Sequence, residues 1–370
     1  MQRVFVLGKN KERLSPCTPA RARKLLSKNK AAVFRQFPFT IILKERETGN
    51  TQPLYFKIDQ GSKTTGISLV SINKNSNKVI YACNLVHRGH AISESLTKRR
   101  AIRSSRRSRK TRYRKPKWTN TMSKKQFEHI NKRPKGWLAP SIKSRLDNTV
   151  NLFNKLNKLT PITNVSIENV RFDMQKLSKS KSALNKKRFT LFSKVLKGVK
   201  PSLKDAAAVN SIRNALINSF NLPIELGSGG LTKYNRKQNN YPKEHWIDAA
   251  CVGLSGEEIH IPTSLIPVEI KANGRGSRQM CRVDKNGFPR TSAKKASNKF
   301  NFKTGDIVIA KVKKGKKQGT YLGRVAVRES GYFNITKKSG VVQGISYQDC
   351  RLLHKNDGYS YSNLVNLITT

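Results

Sequence analysis

Positive charge sets the first limit on what this chain can fold into. Its 370 residues carry 75 Lys and Arg against 21 Asp and Glu, a formal net charge of +54. Self-repulsion on this scale opposes a compact state unless a polyanion neutralises it, and every nucleotide of a nucleic acid contributes a phosphate charge. The basic residues are spread along the chain rather than gathered on one amphipathic helix, which disfavours a membrane-surface protein. The charge therefore indicates a nucleic-acid-binding protein.

The cysteines and the apolar segments exclude several other classes of protein. The apolar run at residues 4–7 is too short for the central region of a signal peptide, and no apolar run approaches the ~18 residues of a membrane span. No CxxC pair occurs, which disfavours a zinc ribbon and a secreted disulfide framework. We therefore expect a cytoplasmic protein without membrane association, with cysteines at Cys17, Cys83, Cys251, Cys281 and Cys350.

The order of the apolar segments predicts an α/β fold. Period-two patterns indicate three consecutive strands joined by polar turns, an antiparallel meander, and later segments at helical spacing indicate that helices and strands then alternate. This order is the connectivity of an RNase H-like fold interrupted by inserted segments. The strands are predicted at residues 54–59, 66–72, 78–85, 164–170 and 223–226, and the helices at about 142–156, 202–220 and 244–254.

Both ends of the chain are predicted to form separate units. Residues 1–53 contain two strand patterns around a short basic helix, and from residue 303 onward short strands alternate with glycines and charged turns. Regular short strands of this kind are typical of a small β-barrel. The glycine-rich segment at residues 227–230 is predicted to be a flexible turn, because no Lys-Ser or Lys-Thr pair follows where a phosphate-binding loop needs one.

Carboxylates are scarce in this chain, so their positions are informative. Asp59 ends the first strand of the meander, Glu168 lies in the fourth strand, and Asp248 lies on the last helix, three residues after His245. In an RNase H-like fold these positions meet at one end of the sheet. Clustered carboxylates repel one another unless a cation neutralises them, and hard oxygen ligands select Mg²⁺ or Mn²⁺. We expect two such ions about 3.5–4 Å apart, with His245 as a ligand or a proton acceptor, in phosphodiester hydrolysis.

An arginine-rich segment follows the meander. Residues 88–118 contain few apolar side chains, and spacings of three and four place several arginines on shared helix faces. Such a helix needs phosphates on more than one side, so we expect it to contact an RNA backbone rather than bases. The predicted nucleic-acid-binding residues are Arg99, Arg100, Arg103, Arg106, Arg107, Arg109, Arg112 and Arg114.

Several motifs resemble those of the transposon-encoded IscB/IsrB family, which is related to the type II CRISPR effectors. Residues 57–66 (KIDQGSKTTG), 167–173 (IENVRFD) and 245–250 (HWIDAA) resemble the three RuvC motifs of that family. Residues 16–26 (PCTPARARKLL) resemble its N-terminal PLMP domain, although the Pro-Leu-Met-Pro sequence itself reads RLSP here. The arginine-rich segment resembles the family's bridge helix, and residues 304–308 (TGDIV) resemble the start of its C-terminal domain.

The resemblance implies a division of the chain into domains. It implies an RNase H-like RuvC core in three segments, at residues 54–87, 119–200 and 201–270, with the bridge helix at 88–118. A PLMP domain would occupy residues 1–53, and a β domain that reads a target-adjacent motif would occupy residues 271–370. IscB proteins carry an HNH nuclease between the second and third RuvC motifs, but residues 169–244 contain no histidine and no cysteine. The closest resemblance is therefore to the HNH-lacking IsrB branch.

What the resemblance implies for function is an RNA-guided DNA nickase. A large structured guide RNA (omega RNA) would pair with one strand of a double-stranded target that carries an adjacent motif, while the protein reads the motif and the heteroduplex shape. The displaced strand would enter the single RuvC site and be cut once. The expected form is a monomeric protein in a ribonucleoprotein, in the prokaryotic cytoplasm and on the nucleoid when bound to DNA.

Three other functions stay open at this point. A Holliday-junction resolvase or a TnpB-like transposon nuclease would use similar carboxylates, but resolvases lack a long arginine helix and TnpB-like proteins usually carry paired CxxC motifs. An RNA-binding protein with an inert RNase H-like fold would explain the charge but not the carboxylates. Copurified RNA separates these functions: a guide-dependent protein retains one large structured RNA, a resolvase retains none, and an inert binder retains ribosomal RNA.

Overall fold

The computed structural model describes residues 2–49, 51–73, 76–109, 136–173, 203–274, 284–285, 288–292, 300–337 and 339–363. These residues form a mixed α/β structure with three sheets. No helix among them combines the length and the apolar character of a membrane span. Several predicted features lie outside the described residues, namely Arg112, Arg114, Cys281, the helix start at Ser202 and residues 174–200.

The N-terminal unit is a four-stranded sheet covered by one helix. The order is β2-β1-β4-β3, and the β1–β4 pair is parallel. Helix α1 begins with Pro19, whose missing N–H costs nothing at a first helical position, and the Thr18 side chain accepts a hydrogen bond from the Arg21 N–H. The elements are β1 (Val4–Leu7), β2 (Arg13–Cys17), α1 (Pro19–Ser27), β3 (Ala31–Arg35) and β4 (Thr40–Leu43).

The central sheet contains the predicted meander. Its strands are β5 (Leu54–Asp59), β6 (Thr64–Ser71), β7 (Asn77–Val86), β8 (Ile162–Glu168), β9 (Ile224–Gly227), β10 (Ile259–His260), β11 (Val268–Ala272) and β17 (Tyr359–Asn363). Strands β5, β6 and β7 pair antiparallel as predicted, and β8 and β9 extend the sheet in parallel from β5. The full order is β17-β11-β7-β6-β5-β8-β9, and the short β10 pairs with β7 beside β11.

Helices pack on both faces of the central sheet because the side chains of each strand alternate between faces. The helices after β7 are α2 (Gly89–Ser108), α3 (Pro140–Asn157), α4 (Leu203–Ile217), α5 (Gly229–Gln238) and α6 (His245–Ala250), and α2 packs on α3. On one face, Phe56 and Ile58 of β5 share a core with Phe153 of α3 and Ile212 of α4. On the other face, Trp246 of α6 packs in a second core. Each face of the sheet therefore has its own hydrophobic core. Asp59 is the last residue of β5 and lies at the end of the sheet.

The C-terminal unit is a five-stranded antiparallel sheet. Its strands are β12 (Ile307–Val312), β13 (Gly319–Ala326), β14 (Tyr332–Lys337), β15 (Gly340–Ser346) and β16 (Cys350–His354), in the order β15-β14-β13-β12-β16. The short strands predicted from residue 303 onward are present as β12 to β15, and β16 was not predicted. Within the described residues β15 and β16 are the two edge strands and do not pair with each other, so these strands form an open sheet rather than the predicted barrel. The core is built from Val308, Phe333 and Ile345.

The prediction of a flexible turn at residues 227–230 was wrong. Gly227 ends β9, and helix α5 begins at Gly229. The Ser228 side chain accepts a hydrogen bond from the Leu231 N–H at 3.2 Å, which satisfies one of the free donors of the first turn. Two glycines in that turn hid the helix from a propensity argument, because glycine costs about 1 kcal/mol relative to alanine inside a helix. The cap and the packing of α5 outweigh that cost.

Two further elements differ from the sequence-based expectation. The last predicted helix, 244–254, spans only His245–Ala250, because the chain turns at Gly253, where φ is +75°. The predicted boundary at residue 271 falls inside β11, and β17 returns from the C-terminal unit to pair with β11 in the central sheet. Long-range pairing of this kind leaves no local pattern in the sequence.

Candidate active site

Two carboxylates meet where neighbouring strands of the central sheet end. Asp59 is the last residue of β5 and Glu168 is the last residue of β8, and these strands pair in parallel with Ile58 opposite Ile167. The two carboxyl groups are close enough for the charge of Asp59 to raise the pKa of Glu168, in addition to the effect of burial. Neighbouring parallel strands have their C-terminal ends at the same edge of a sheet. Asp59 and Glu168 are therefore neighbours in space although 109 residues separate them in sequence.

Helix α6 adds a histidine and a third carboxylate. His245 Nδ1 lies 3.4 Å from Asp59 Oδ2, and the imidazole is half exposed while Asp59 is mostly buried. Asp248, one helical turn further on, lies near enough to raise the pKa of Glu168 by charge repulsion. The structure therefore places the four predicted residues, Asp59, Glu168, His245 and Asp248, at the same end of the central sheet, with a direct contact between Asp59 and His245.

The electrostatics of this cluster are those of crowded negative charges. Burial, then the Asp59 carboxylate, raise the pKa of Glu168 well above its usual range. Burial also raises the pKa of Asp248, with the charge of Asp59 adding to it. The hydrogen bond to Asp59 raises the pKa of His245. Burial is the largest cause for the two carboxyl groups, and the charge of Asp59 adds to it in both, a situation that a bound cation relieves.

Helix α5, which sequence reasoning missed, supplies contacts to this cluster. Thr232 lowers the pKa of Glu168, while its hydroxyl donates to the Ser228 carbonyl at 3.1 Å, and Arg236 forms an ion pair with Asp248. Asn235 donates to the carbonyls of Cys251 and Gly253, just after α6. The spacing of Thr232, Asn235 and Arg236 places them on one helix face. That polar face was the available signal in the sequence.

A buried lysine anchors the other end of α6. Lys57 is fully buried on β5, two residues before Asp59, and its Nζ donates to the Val252 carbonyl at 2.8 Å. Burial lowers its pKa to about 8, and the charge of Glu225 opposes that effect. Because residues i and i+2 share a strand face, Lys57 sits beneath the carboxylates and fixes the helix that carries Asp248.

A glycine allows α6 to approach the sheet closely. Gly66 of β6 lies opposite Asp59, and a Cβ there would overlap the His245 carbonyl. Next along β6, the Ser68 hydroxyl donates to the Trp246 carbonyl at 2.7 Å. The position of His245 beside Asp59 therefore depends on the missing side chain at residue 66.

Replacing Gly66 with alanine is expected to lower the free energy of unfolding by about 1–3 kcal/mol, the usual cost of overpacking a tight contact. The added methyl group must push α6 away from β6, because the atom it meets is backbone. Urea denaturation at neutral pH measures the change. Gly230→Ala is the matched control, since a Cβ there meets open space apart from Ser228 Oγ at 3.9 Å. Equal stability of Gly66→Ala and Gly230→Ala would contradict the close-approach argument.

The donor set fits a divalent cation. The described part of the chain contains no group of three or more His, Cys, Asp and Glu side chains already assembled closely enough to hold a metal ion. Arg236 supplies a positive charge next to Asp248. Three carboxylates and one imidazole are nonetheless ligands of the kind that Mg²⁺ and Mn²⁺ accept. Asp59, Glu168, His245 and Asp248 would hold the ion once Asp248 exchanges Arg236 for it.

The arginine helix presents its charges to solvent. Among the predicted nucleic-acid-binding residues that the structure describes, Arg106 is half-buried, with its guanidinium 4.5 Å from the ring centroid of Phe288. The others, Arg99, Arg100, Arg103, Arg107 and Arg109, are exposed. Exposed guanidinium groups at helical spacing form a surface that suits a phosphate backbone.

Comparison with known proteins gives one family. The family model described as RRXRR protein matches residues 4–188, which include Asp59, Glu168 and the arginine helix. No curated protein matches the chain. The RRXRR family is arginine-rich and is found in IscB- and TnpB-like nucleases, so the match supports a general nuclease context. The match covers half of the chain, and the chain therefore belongs to the RRXRR protein family.

Proposed function

We propose that this protein is an RNA-guided DNA endonuclease that nicks the displaced strand of its target at one metal-dependent site. The observation that carries the proposal is the convergence of Asp59, Glu168 and Asp248 with His245 at one end of the central sheet. Three carboxylates from two strands and a helix repel one another, so their proximity does not stabilise the fold. A bound cation that also contacts a phosphate group would offset this repulsion.

The architecture supports an RNase H-like core of the RuvC type. An antiparallel meander of three strands is extended by two parallel strands, and helices cover both faces. The carboxylates occupy the end of the first strand, the end of the fourth strand and the last helix of this arrangement. We extend the proposal to the domain order, with an N-terminal PLMP unit, a bridge helix and a C-terminal unit that reads a target-adjacent motif.

In the proposed reaction the protein orients water and a phosphodiester. Divalent cations, when bound, supply charge neutralisation at the phosphate and lower the pKa of the attacking water. Asp59 holds His245 through Nδ1, which leaves Nε2 either to ligate a cation or to accept a proton from water. Lys57 and Asn235 keep α6 in place, so the Asp248 carboxylate stays at the end of the sheet with Asp59 and Glu168, where it would help to hold a cation. Arg236, released from Asp248, is left to pair with a phosphate oxygen.

A single site accounts for a nick rather than a double-strand break. The segment between the second and third motifs has no histidine and no cysteine with which to build an HNH site. The net charge of +54 and the exposed arginines of α2 support a large structured RNA as the partner. We propose that this RNA supplies the guide, that the protein acts as a monomer within the ribonucleoprotein, and that it works in the prokaryotic cytoplasm.

A strand-resolved cleavage assay tests the proposal. The protein is combined with its copurified RNA, Mg²⁺ and a supercoiled plasmid that carries the matching target, and the same reaction is run with scrambled guide sequence and with EDTA. We expect open circles cut on the displaced strand, with matched guide and metal only. Linear product would mean a second cutting site. Cutting without RNA would favour a resolvase, and bound RNA without any cutting would favour an inert RNA-binding protein.

A further inference from the structure

Two charged side chains hold the loop that follows Asp59. This loop, residues 60–63, joins β5 to β6 and is called the Asp59 loop below. The Ser62 hydroxyl donates to Asp205 Oδ1 at 2.6 Å, and the Ser62 carbonyl accepts from Arg145 Nε at 2.7 Å. Arg145 lies on α3 and Asp205 in the first turn of α4. Each of these hydrogen bonds includes one ionised group, which makes it stronger than a bond between neutral groups.

The first turn of the arginine helix α2 contacts the same two charged residues. His90 Nε2 lies 3.2 Å from Asp205 Oδ1, the atom that also accepts from Ser62. At Gly89, an added Cβ would overlap the guanidinium of Arg145. Arg145 can lie there because residue 89 has no side chain. The start of α2 and the Asp59 loop therefore share Arg145 and Asp205.

The segment just before α2 is tied to the same region. The His87 N–H donates to the Lys63 carbonyl at 2.8 Å, and His87 Nε2 lies 2.8 Å from the Thr65 hydroxyl oxygen on β6. Both His87 and Thr65 are buried. Contacts at three positions, residues 62, 63 and 65, thus join the Asp59 loop and the start of β6 to the chain around the beginning of α2.

The burial of Arg145 makes this arrangement specific. Only 5% of its surface is exposed, and an arginine is almost never buried to that extent unless it is paired. Its second guanidinium contact is to the Ser141 carbonyl, at 2.8 Å. Burial lowers the pKa of Arg145, and the charge of Asp205 opposes that effect. The two charges therefore stabilise each other on either side of Ser62.

The exposed arginines lie further along the same helix. Arg99, Arg100, Arg103 and Arg107 are all in the C-terminal half of α2 and are exposed. At 1.5 Å per residue they lie roughly 14–26 Å beyond His90. A single helix connects the two ends, so an RNA backbone that binds these arginines also restrains the first turn of α2.

We propose that Ser62, Arg145 and Asp205 form a junction that couples RNA binding along α2 to the position of Asp59. Arg145 and Asp205 are positioning residues, because they act through Ser62, three residues after Asp59. RNA on α2 restrains the junction, and the junction restrains the Asp59 loop. The inference rests on the proposed function for its RNA partner and deepens it, since it gives a physical reason for cleavage to depend on RNA.

Hydrogen–deuterium exchange of the full chain tests the junction without relying on cleavage. Mass spectrometry compares the amides of residues 60–65 with and without poly(U) RNA, in EDTA. The variants are Ser62→Ala and Asp205→Ala, which remove the two ends of the same hydrogen bond. Ser62→Ala deletes a single hydroxyl group and keeps every charge of the junction, so it is the milder of the two. The control is Asp147→Ala, which removes an exposed aspartate of α3.

In the wild type and in the control we expect RNA to slow exchange at residues 60–65 by roughly 5- to 150-fold, the usual range of coupling between two sites. Both junction variants should lose this effect while exchange along α2 still responds to RNA. RNA that simply covered the loop would slow its exchange in both variants as well, and that result would overturn the proposal. Exchange at the loop that ignores RNA in the wild type would also overturn it.

A double-mutant cycle on the nicking reaction gives a second readout. Each single variant should lower the single-turnover rate roughly tenfold, the effect of one hydrogen bond to a charged group, with RNA affinity unchanged. The double variant should be no slower than the slower single variant, because both substitutions remove the same contact. Losses that multiply would overturn the junction. A wild type that never nicks would remove the nuclease proposal, and the exchange experiment would still decide the junction.

Discussion

Asp59→Asn is expected to lower the rate of DNA nicking by at least about 10³-fold while RNA binding is unchanged. A metal ion that neutralises the developing charge contributes several kcal/mol to the transition state, and each 1.36 kcal/mol is a factor of ten in rate. Asp59 contacts His245 at 3.4 Å and acts electrostatically on Glu168. Its loss therefore removes one cation ligand and frees the proton acceptor at the same time.

Two measurements check this expectation. Single-turnover nicking of the supercoiled plasmid gives the rate, and titration calorimetry with Mn²⁺ gives cation binding, which should weaken in parallel. The pKa of Glu168 should fall toward its usual range, because the Asp59 charge is one cause of its elevation; carboxyl NMR follows it. Asp147→Asn, which removes an exposed aspartate of α3, is the charge-matched control. Nicking at the wild-type rate in Asp59→Asn would rule out this site as the nuclease centre.

Asp357→Asn is expected to destabilise the protein by about 3–5 kcal/mol, the cost of removing one partner from a buried ion pair. Asp357 Oδ2 lies 2.7 Å from Arg35 of the N-terminal unit and 3.3 Å from Lys155 of α3. The Tyr361 hydroxyl of β17 donates to the same oxygen at 2.5 Å, and His354 Nε2 of β16 lies 3.4 Å away. One mostly buried carboxylate thus holds together elements from all three sheets.

The pH dependence follows from the same contacts. The neighbouring imidazole of His354, the hydrogen bond from Tyr361 and the positive charge of Lys155 hold the pKa of Asp357 well below its usual range, against the effect of burial. Because the pKa is lower in the folded chain than in the unfolded chain, the stabilisation is complete above about pH 4 and is lost as pH falls further.

Urea denaturation between neutral pH and about pH 3 tests the role of the Asp357 carboxylate. The proteins compared are the wild type, Asp357→Asn and the control Asp147→Asn. The difference between wild type and Asp357→Asn should be largest at neutral pH and should shrink below about pH 4. Both substitutions remove one negative charge from the chain. The change in overall charge repulsion is therefore the same in the two variants. A constant difference across the range, or a similar loss in the control, would contradict the assignment.

Sequence patterns alone predicted the part of the fold that depends on local periodicity. Alternating apolar residues predicted the meander, and the positions of Asp59 and Glu168 at strand ends predicted that they would be neighbours if the strands paired. Helix α5 escaped because Gly229 and Gly230 lower helix propensity, while the contacts that stabilise it, from Asn235 to the end of α6, are visible only in three dimensions.

The burial of Lys57 and the place of the edge strand β17 were not predicted from the sequence, for related reasons. Lys57 interrupts an apolar strand, and a charged residue at such a position is normally expected to face solvent. Its burial depends on a carbonyl and a glutamate that arrive from 195 and 168 residues away in sequence. Strand β17 looks like a short polar-aromatic segment, and only its register with β11 assigns it to the central sheet.

The place of β17 in the central sheet has a consequence for synthesis of the protein. A ribosome that has made Asp59 must add roughly 300 residues before β17 can pair with β11, a delay of about 15–60 s at ordinary elongation rates. The arginines of α2 leave the ribosome early in that interval. The nascent chain therefore exposes the arginines of α2 before its central sheet is complete, so a polyanion that binds them would meet the protein while it is still being made.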